Sequence, residues 1–158
     1  MSTPIMINLG CGNAPEDGFV NHGVVKHAPH VDVVWNLNDM PWPWPDSCAS
    51  RIIAKSVLEH LIPDLVLSIN ECWRIMQPGG FLYVKLPMWN HEVSSQDPTH
   101  RWKFAPHVFD YFDVDTDLGT NYAFYTPFKW KIINPATLNP GKSSFNTTLQ
   151  KVPLGTGV

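Results

Sequence analysis

The chain's first apolar run, Ile5-Met6-Ile7-Asn8-Leu9, stops on Gly10-Cys11-Gly12. No other stretch constrains the fold as much. A short apolar run ended by glycine reads as a buried strand. Two glycines one residue apart let the backbone turn with no Cβ in the way. At the carboxyl edge of a parallel sheet such a turn brings main-chain N–H groups against a ligand, often a nucleotide-like one. The same signal also fits a plain turn, so the rest of the chain has to decide between them.

Downstream, the pattern alternates strands and loops. Asn13 to Gly18 is a loop by its turn residues, too short for a full crossover helix. Phe19 to Val25 and Val31 to Trp35 read as a second and a third strand. Asn36 to Asp46 carries Pro41-Trp42-Pro43-Trp44-Pro45, a loop stiffened where proline fixes φ. Ser50 to Lys55 is a fourth strand, and Ser56 to Leu61 starts a loop or a helical turn. Pro63 to Met76 is the clearest helix, with Leu65, Ile69, Trp73 and Met76 on one stripe and Val66 beside them. Pro63 is expected in its first turn, Asp64 complements its N-terminus, and Gln77-Pro78-Gly79-Gly80 ends it as a turn. Phe81 to Pro87 is a strong strand. Met88 to Thr99 reads as a surface loop, Pro106 to Phe112 as a short helix and Asp113 to Asn121 as a loop. Lys129 to Asn134 and Phe145 to Val152, joined through Pro140-Gly141, predict a closing antiparallel pair. Strands interleaved with a helix argue for a mostly parallel sheet with covered faces, in one domain spanning residues 1–158.

Composition narrows the function classes. A net charge of −3 over 158 residues offers no field for nucleic acid or an anionic membrane, and neither is expected as a partner. Cys11, Cys48 and Cys72 have no paired spacing, so a cytoplasmic, reducing setting is expected. Met1-Ser2-Thr3-Pro4 lacks the basic and apolar regions of a signal peptide. No apolar run is long enough to span a bilayer.

Three segments then stand in order: Ile7-Asn8-Leu9-Gly10-Cys11-Gly12, Ala54-Lys55-Ser56-Val57-Leu58-Glu59-His60-Leu61, and Cys72 to Leu82 with its Gln-Pro-Gly-Gly core. Together they resemble the class I S-adenosylmethionine-dependent methyltransferases, in a compact branch. The resemblance runs from about Ile5 to Leu86 and more loosely to the closing strands. It implies an α/β, Rossmann-like fold: a mostly parallel sheet flanked by helices, with an antiparallel C-terminal strand pair. It also implies S-adenosylmethionine as cofactor and methyl transfer to a small-molecule or sugar-like acceptor.

By that resemblance, Leu9, Gly10, Cys11, Gly12 and Asn13 seat the methionine end, and Asn36, Leu37 and Asn38 flank the adenine. Lys55 and Ser56 close the site at the end of the fourth strand. The family's acidic residue at the end of the second strand, which holds the ribose hydroxyls, falls on Gly23, with His22 or Asp32 as possible substitutes. Where the family often has Asp before the adenine-loop Leu, this chain has Asn36. A non-catalytic binding or scaffold protein on a degenerate methyltransferase fold is therefore the alternative. A dehydrogenase-like nucleotide binder is disfavoured by the missing third glycine and the missing helix after Gly12.

On the acceptor side His100 reads as general base, Asp97 as its orienter and Arg101 as an anion contact, with His60 packing or hydrogen-bonding under the cofactor. Glu59 is expected to hold a backbone group or Arg74. His91, Glu92, Asp97 and His100 have a metal-binding composition but no ligand spacing on one element, so no metal is expected. Trp42, Trp44, Trp89 and Trp102 fit either a pocket lining or packing. The Asn/Asp-Pro-Pro-aromatic motif of DNA amino-methyltransferases and the Pro-Cys of cytosine-carbon enzymes are both missing. Acceptor identity and oligomeric state are not encoded in these motifs.

Overall fold

The computed structural model describes residues 3–155; the reading of Met1-Ser2 lies outside the described residues. Seven strands form one sheet in the order β3-β2-β1-β4-β5-β7-β6. They are β1 (Ile5–Leu9), β2 (Val20–Gly23), β3 (Val33–Val34), β4 (Ala49–Lys55), β5 (Met76–Pro87), β6 (Trp130–Leu138) and β7 (Ser144–Lys151). The first five pair in parallel, and β7 runs antiparallel between β5 and β6. The sheet class and the antiparallel closing pair are as expected from the sequence.

β2 and β3 are shorter than predicted. Val24 and Val25 lie past the end of β2 and are exposed. Among the described residues no helix intervenes between β1 and β4. The Pro-Trp loop joins β3 to β4 instead, and it packs inward: Trp42 and Trp44 are buried in the core. The buried Glu71 carboxylate accepts from the Trp42 N–H at 2.6 Å and from the Arg74 guanidinium at 2.6 Å. Arg74 also donates to Asp46 and to the Trp42 carbonyl, clamping the loop on the helix.

That helix, α1 (Leu65–Ile75), starts two residues later than its proline suggests. Asp64 is the cap, its carboxylate accepting from the Leu67 N–H at 2.9 Å, and Pro63 precedes it. The fully buried face carries Ile69, Cys72 and Ile75, while Trp73 is half-buried at the rim. The stripe is thus rotated from the predicted one, because Trp73 stacks near Phe128 and under the buried Lys151 ammonium. Lys151 donates to the carbonyls of Trp73 and Met76, placing a cation at the helix C-terminus.

Gln77-Pro78-Gly79-Gly80 does not separate the helix from the strand as a turn. Met76 pairs with Ala49 and Phe81 with Arg51, so the four residues form an irregularity within β5, with Gly79 at φ +75°. The expected surface loop after β5 contains one helical turn, α2 (Val93–Gln96), and Pro106 to Phe112 is a 3-10 helix. The segment predicted as a loop from Asp113 contains α3 (Asp117–Asn121), capped by the Thr116 hydroxyl. The buried Asp113 carboxylate accepts from the N–H groups of Asp115 and Ile132, tying this region to β6.

Strand alternation sorts the sheet's two faces. Ile7, Leu9, Ile52, Ala54, Leu82, Val84, Leu86 and Leu149 join α1 in the core. The alternate positions Arg51, Ile53, Lys55, Phe81, Tyr83 and Thr148 line a concavity of about 530 Å³ on the other face. A Cβ on Gly119 would lie 1.8 Å from the Asp113 carbonyl oxygen. Gly119→Ala is therefore expected to destabilise the fold by about 3 kcal/mol, near the upper end for overpacking, measured as a lowered urea midpoint.

Candidate functional site

Chain order reverses beside β1. The chain proceeds outward through β2 and β3, then returns to place β4 on the other side of β1. In open α/β sheets, ligands bind at such a switch point, beyond the strands' carboxyl ends. A cavity of about 440 Å³ lies there. Its walls come from Gly10 and Gly12 after β1, His22 to Val25 at the end of β2, the Trp35–Asn38 loop, and Ser56, Val57, His60 and Leu61 after β4.

The glycine turn has the expected geometry. Gly10 and Gly12 both have positive φ, +59° and +50°. A Cβ on Gly10 would approach Val57 Cγ2 to 2.7 Å, whereas one on Gly12 would enter open space. Gly10 thus lets the turn close against the loop after β4, and Gly12 leaves room for a ligand. Leu9 and Cys11 are buried behind the turn and Asn13 is exposed; none of the three lines the cavity. The missed support is Asn8, whose buried amide donates to Ala14 O and Asn21 Oδ1.

His22 locks the turn. The Gly10 N–H donates to His22 Nδ1 at 3.1 Å, and His22 Nε2–H donates to the Trp35 carbonyl at 2.9 Å. Both ring nitrogens are used, so this imidazole cannot substitute for a ribose-binding carboxylate. Asp32 is also engaged, accepting from the Asn21 N–H at 2.8 Å. At Gly23 a Cβ would sit 3.2 Å from Val25 O and 3.3 Å from Val31 Cγ1, so an acidic side chain there is crowded. Val24, 63% exposed and lining the cavity, is the position with space.

Leu37 is buried, and its carbonyl accepts from Trp42 Nε1. Asn36 Oδ1 accepts from the Asn38 N–H, while Asn38 Oδ1 accepts from the Ile62 N–H. Each side chain keeps its amide NH2 for a ligand. Ser56 lines the cavity at φ +51°. Lys55 does not line it: it points to the opposite face, paired with Glu16, because adjacent strand residues alternate faces. The sequence reading missed Val24, Val25, His27, Trp35, Val57 and Leu61 in the lining. His27 Nε2 lies 2.8 Å from the Gly12 carbonyl, across the cavity edge.

Beyond His60 lies a polar cluster built from two loops. Thr99 donates from its N–H and its hydroxyl to Asp97 Oδ1, and His60 Nδ1 lies 2.7 Å from the Thr99 hydroxyl oxygen. With that hydroxyl proton on Asp97, His60 Nδ1–H is the donor and Nε2 keeps its lone pair. Asp97 therefore orients His60 through Thr99, not His100 as the sequence suggested. His100 Nδ1–H donates to the Ser94 carbonyl at 3.2 Å, and its Nε2 faces Glu59 Oε1 at 3.8 Å. Glu59 holds neither backbone nor Arg74: neither carboxylate oxygen has a hydrogen-bond partner among the described residues. Burial pushes its carboxyl up to about 7, against the lowering effects of its own N–H and His100. Burial lowers His60, and the Thr99 bonds lower Asp97. Trp102 Nε1 donates to the Leu61 carbonyl, while Trp89 is exposed.

The sequence model of a family described as "Methyltransferase domain" matches residues 18–84. Solved structures of methyltransferases align over nearly the whole chain. One is a SAM-dependent methyltransferase from Archaeoglobus fulgidus, with a TM-score of 0.62 at 14% identity, covering 94% of this chain and 86% of that one. This is a class I methyltransferase fold. The aminoglycoside resistance methyltransferase NpmB1 aligns with a TM-score of 0.60 at 16% identity, over 94% and 87% of the two chains. The cyclase SpnF aligns equally well, with a TM-score of 0.60 at 12% identity over 96% and 76%. No curated protein sequence matches the chain. A fold shared with a cyclase does not by itself specify the reaction.

Two predictions test the methyltransferase-like turn. Gly10→Ala forces an L-residue into the left-handed region, costing about 1–2 kcal/mol before the Val57 contact is counted; differential scanning calorimetry should register the loss. Burial also lowers the His22 pKa from its ordinary 6.5. Above that value the ring is neutral folded or unfolded, and its contribution is intact. As pH falls below about 6.5 the unfolded chain takes the proton first, so stability declines until the lower folded pKa is passed. An NMR titration should find His22 protonating below 6.5, with the urea midpoint dropping over the same range.

Proposed function

We propose that the chain is an S-adenosylmethionine-dependent methyltransferase acting on a small-molecule or sugar-like acceptor in a reducing cytosol. The observation that carries this reading is the cavity at the switch point, bounded by the two positive-φ glycines and the Leu37 loop. The three free thiols fit the compartment.

The residues present fit most of the cofactor. Open space over Gly12 gives a close backbone approach for its amino-acid end. Leu37 offers an apolar contact to an adenine, and the free amides of Asn36 and Asn38 offer hydrogen bonds. Bound there, S-adenosylmethionine would supply an activated methyl group on a sulfonium. The chain's task is then to align an acceptor in line with that methyl, exclude water and accept a proton where the acceptor carries one. His60, at the cavity wall with Nδ1 fixed by Thr99, directs its Nε2 lone pair to that task.

The ribose end fits less well, and this supports a second reading, a non-catalytic binding protein on the same fold. His22 is engaged through both ring nitrogens and Asp32 does not line the cavity, so among the described residues no carboxylate faces the ribose hydroxyls at the end of β2. A missing charged hydrogen bond is worth about 1.5–3 kcal/mol, roughly ten- to a hundredfold in affinity. Calorimetry with S-adenosylhomocysteine separates the readings. Saturable binding with 1:1 stoichiometry is expected, and Val24→Asp should tighten it by about tenfold. No heat at millimolar ligand for either protein would sink the methyltransferase reading.

A further inference from the structure

Glu59 is 1% exposed, and neither of its oxygens meets a hydrogen-bond donor among the described residues. Buried carboxylates are seldom left this way, because removing the charge from water is costly without a partner. Two imidazoles lie within reach of it. One ligand atom from each of Glu59, His60 and His100 falls within 4.8 Å of the others, and Glu59 Oε1 stands 3.8 Å from His100 Nε2. That is too long for a hydrogen bond. A metal bound at about 2.0–2.2 Å by all three would hold its donors roughly 3–3.5 Å apart, within reach of side-chain shifts of about 1 Å.

We propose that Glu59, His60 and His100 form a binding site for a divalent transition-metal cation beside the cavity, with His60 on its wall. The outer contacts set both rings for the task. His100 donates Nδ1–H to the Ser94 carbonyl, which leaves Nε2 facing Glu59. His60 is held by Thr99, and Thr99 by Asp97, in the hydrogen-bonded arrangement that fixes the tautomer of metal-bound histidines. Two imidazoles and one carboxylate suit zinc, iron(II), cobalt(II) or manganese(II), with further positions left for water or an acceptor oxygen. Such a cation would lower the pKa of an acceptor hydroxyl and take over the role of an imidazole base. The ligands come from different loops, Glu59 and His60 after β4 and His100 after β5, so no local spacing announces them.

The site stands on its own geometry and does not need the methyl-transfer reading. The test titrates cobalt(II) into EDTA-treated full-length protein, following visible absorption bands and calorimetric heat. One cobalt per chain is expected, with affinity reduced at least tenfold in Glu59→Gln and in His100→Gln. His100→Gln keeps an amide able to meet the Ser94 carbonyl and serves if Glu59→Gln does not fold. His107→Ala and His30→Ala, which alter histidines outside the cluster, should bind as the parent does. Absence of stoichiometric binding, or equal binding by parent and cluster variants, overturns the site. S-adenosylhomocysteine titrated into the same metal-free protein reports the cofactor separately, so either reading can fail without the other.

Discussion

A single neutral imidazole links the parts of the cavity. His22 accepts from the Gly10 N–H and donates to the Trp35 carbonyl, so it joins the glycine turn to the loop that follows β3. It is 2% exposed and packs edge-on to the buried Trp44 of the Pro-Trp loop. The residue therefore couples β1, β2, the cavity wall and the hydrophobic core. Its position explains why it is not a ligand-binding group: its two nitrogens are spent on the scaffold. The turn is held in a ligand-ready shape at the expense of a side chain that the sequence placed within the ligand's reach.

The same economy governs the rest of the sheet's β3–β1 side. No helix lies between β1 and β4 among the described residues, so the strand connections must be held by polar anchors. Asn21 and Asn8 brace the loop after the glycines through five side-chain hydrogen bonds to residues 14–21, and Asp32 fixes the backbone of β2. The Pro-Trp loop supplies the apolar surface that a crossover helix would otherwise bring, through Trp42 and Trp44. Proline limits the entropy lost when such a loop is ordered. Glu71 and Arg74 then fasten it to α1, the longest helix described.

Elements with a strong period were legible in the sequence: β1, β4 and α1 sit within two residues of their predicted spans, and β5 contains its predicted Phe81–Pro87. Elements that depend on tertiary contacts were not. Gln77 to Gly80 carries every mark of a turn, yet pairing on both sides absorbs it into β5. The segment after Asp113 reads as a loop from its Asp, Thr and Gly content, but those residues make a capped helix around Gly119, the residue type that fits beneath the Asp113 carbonyl. Lys55 was read as a cofactor contact because it ends β4. Strand alternation sends it to the other face, an inference the period of two already allows. Gly10, Gly12, Asn36, Leu37 and Asn38 do line the cavity, and the sequence singled them out because local motifs mark them.

The histidine cluster obeys a different logic. His60 and His100 lie on separate loops, and their rings meet at a centroid distance of 4.6 Å only after β4 and β5 pair. A reader of the sequence sees Asp97 three residues from His100 and couples them. The fold instead turns Asp97 toward Thr99 and gives its orienting effect to His60. His100 is then free to face Glu59, a carboxylate whose burial makes sense only in company. Two segments with no shared motif thus produce one cluster, positioned by the strands rather than by their own sequence. The cavity's glycine-turn end is written in local sequence, and its histidine end in the pairing of the sheet.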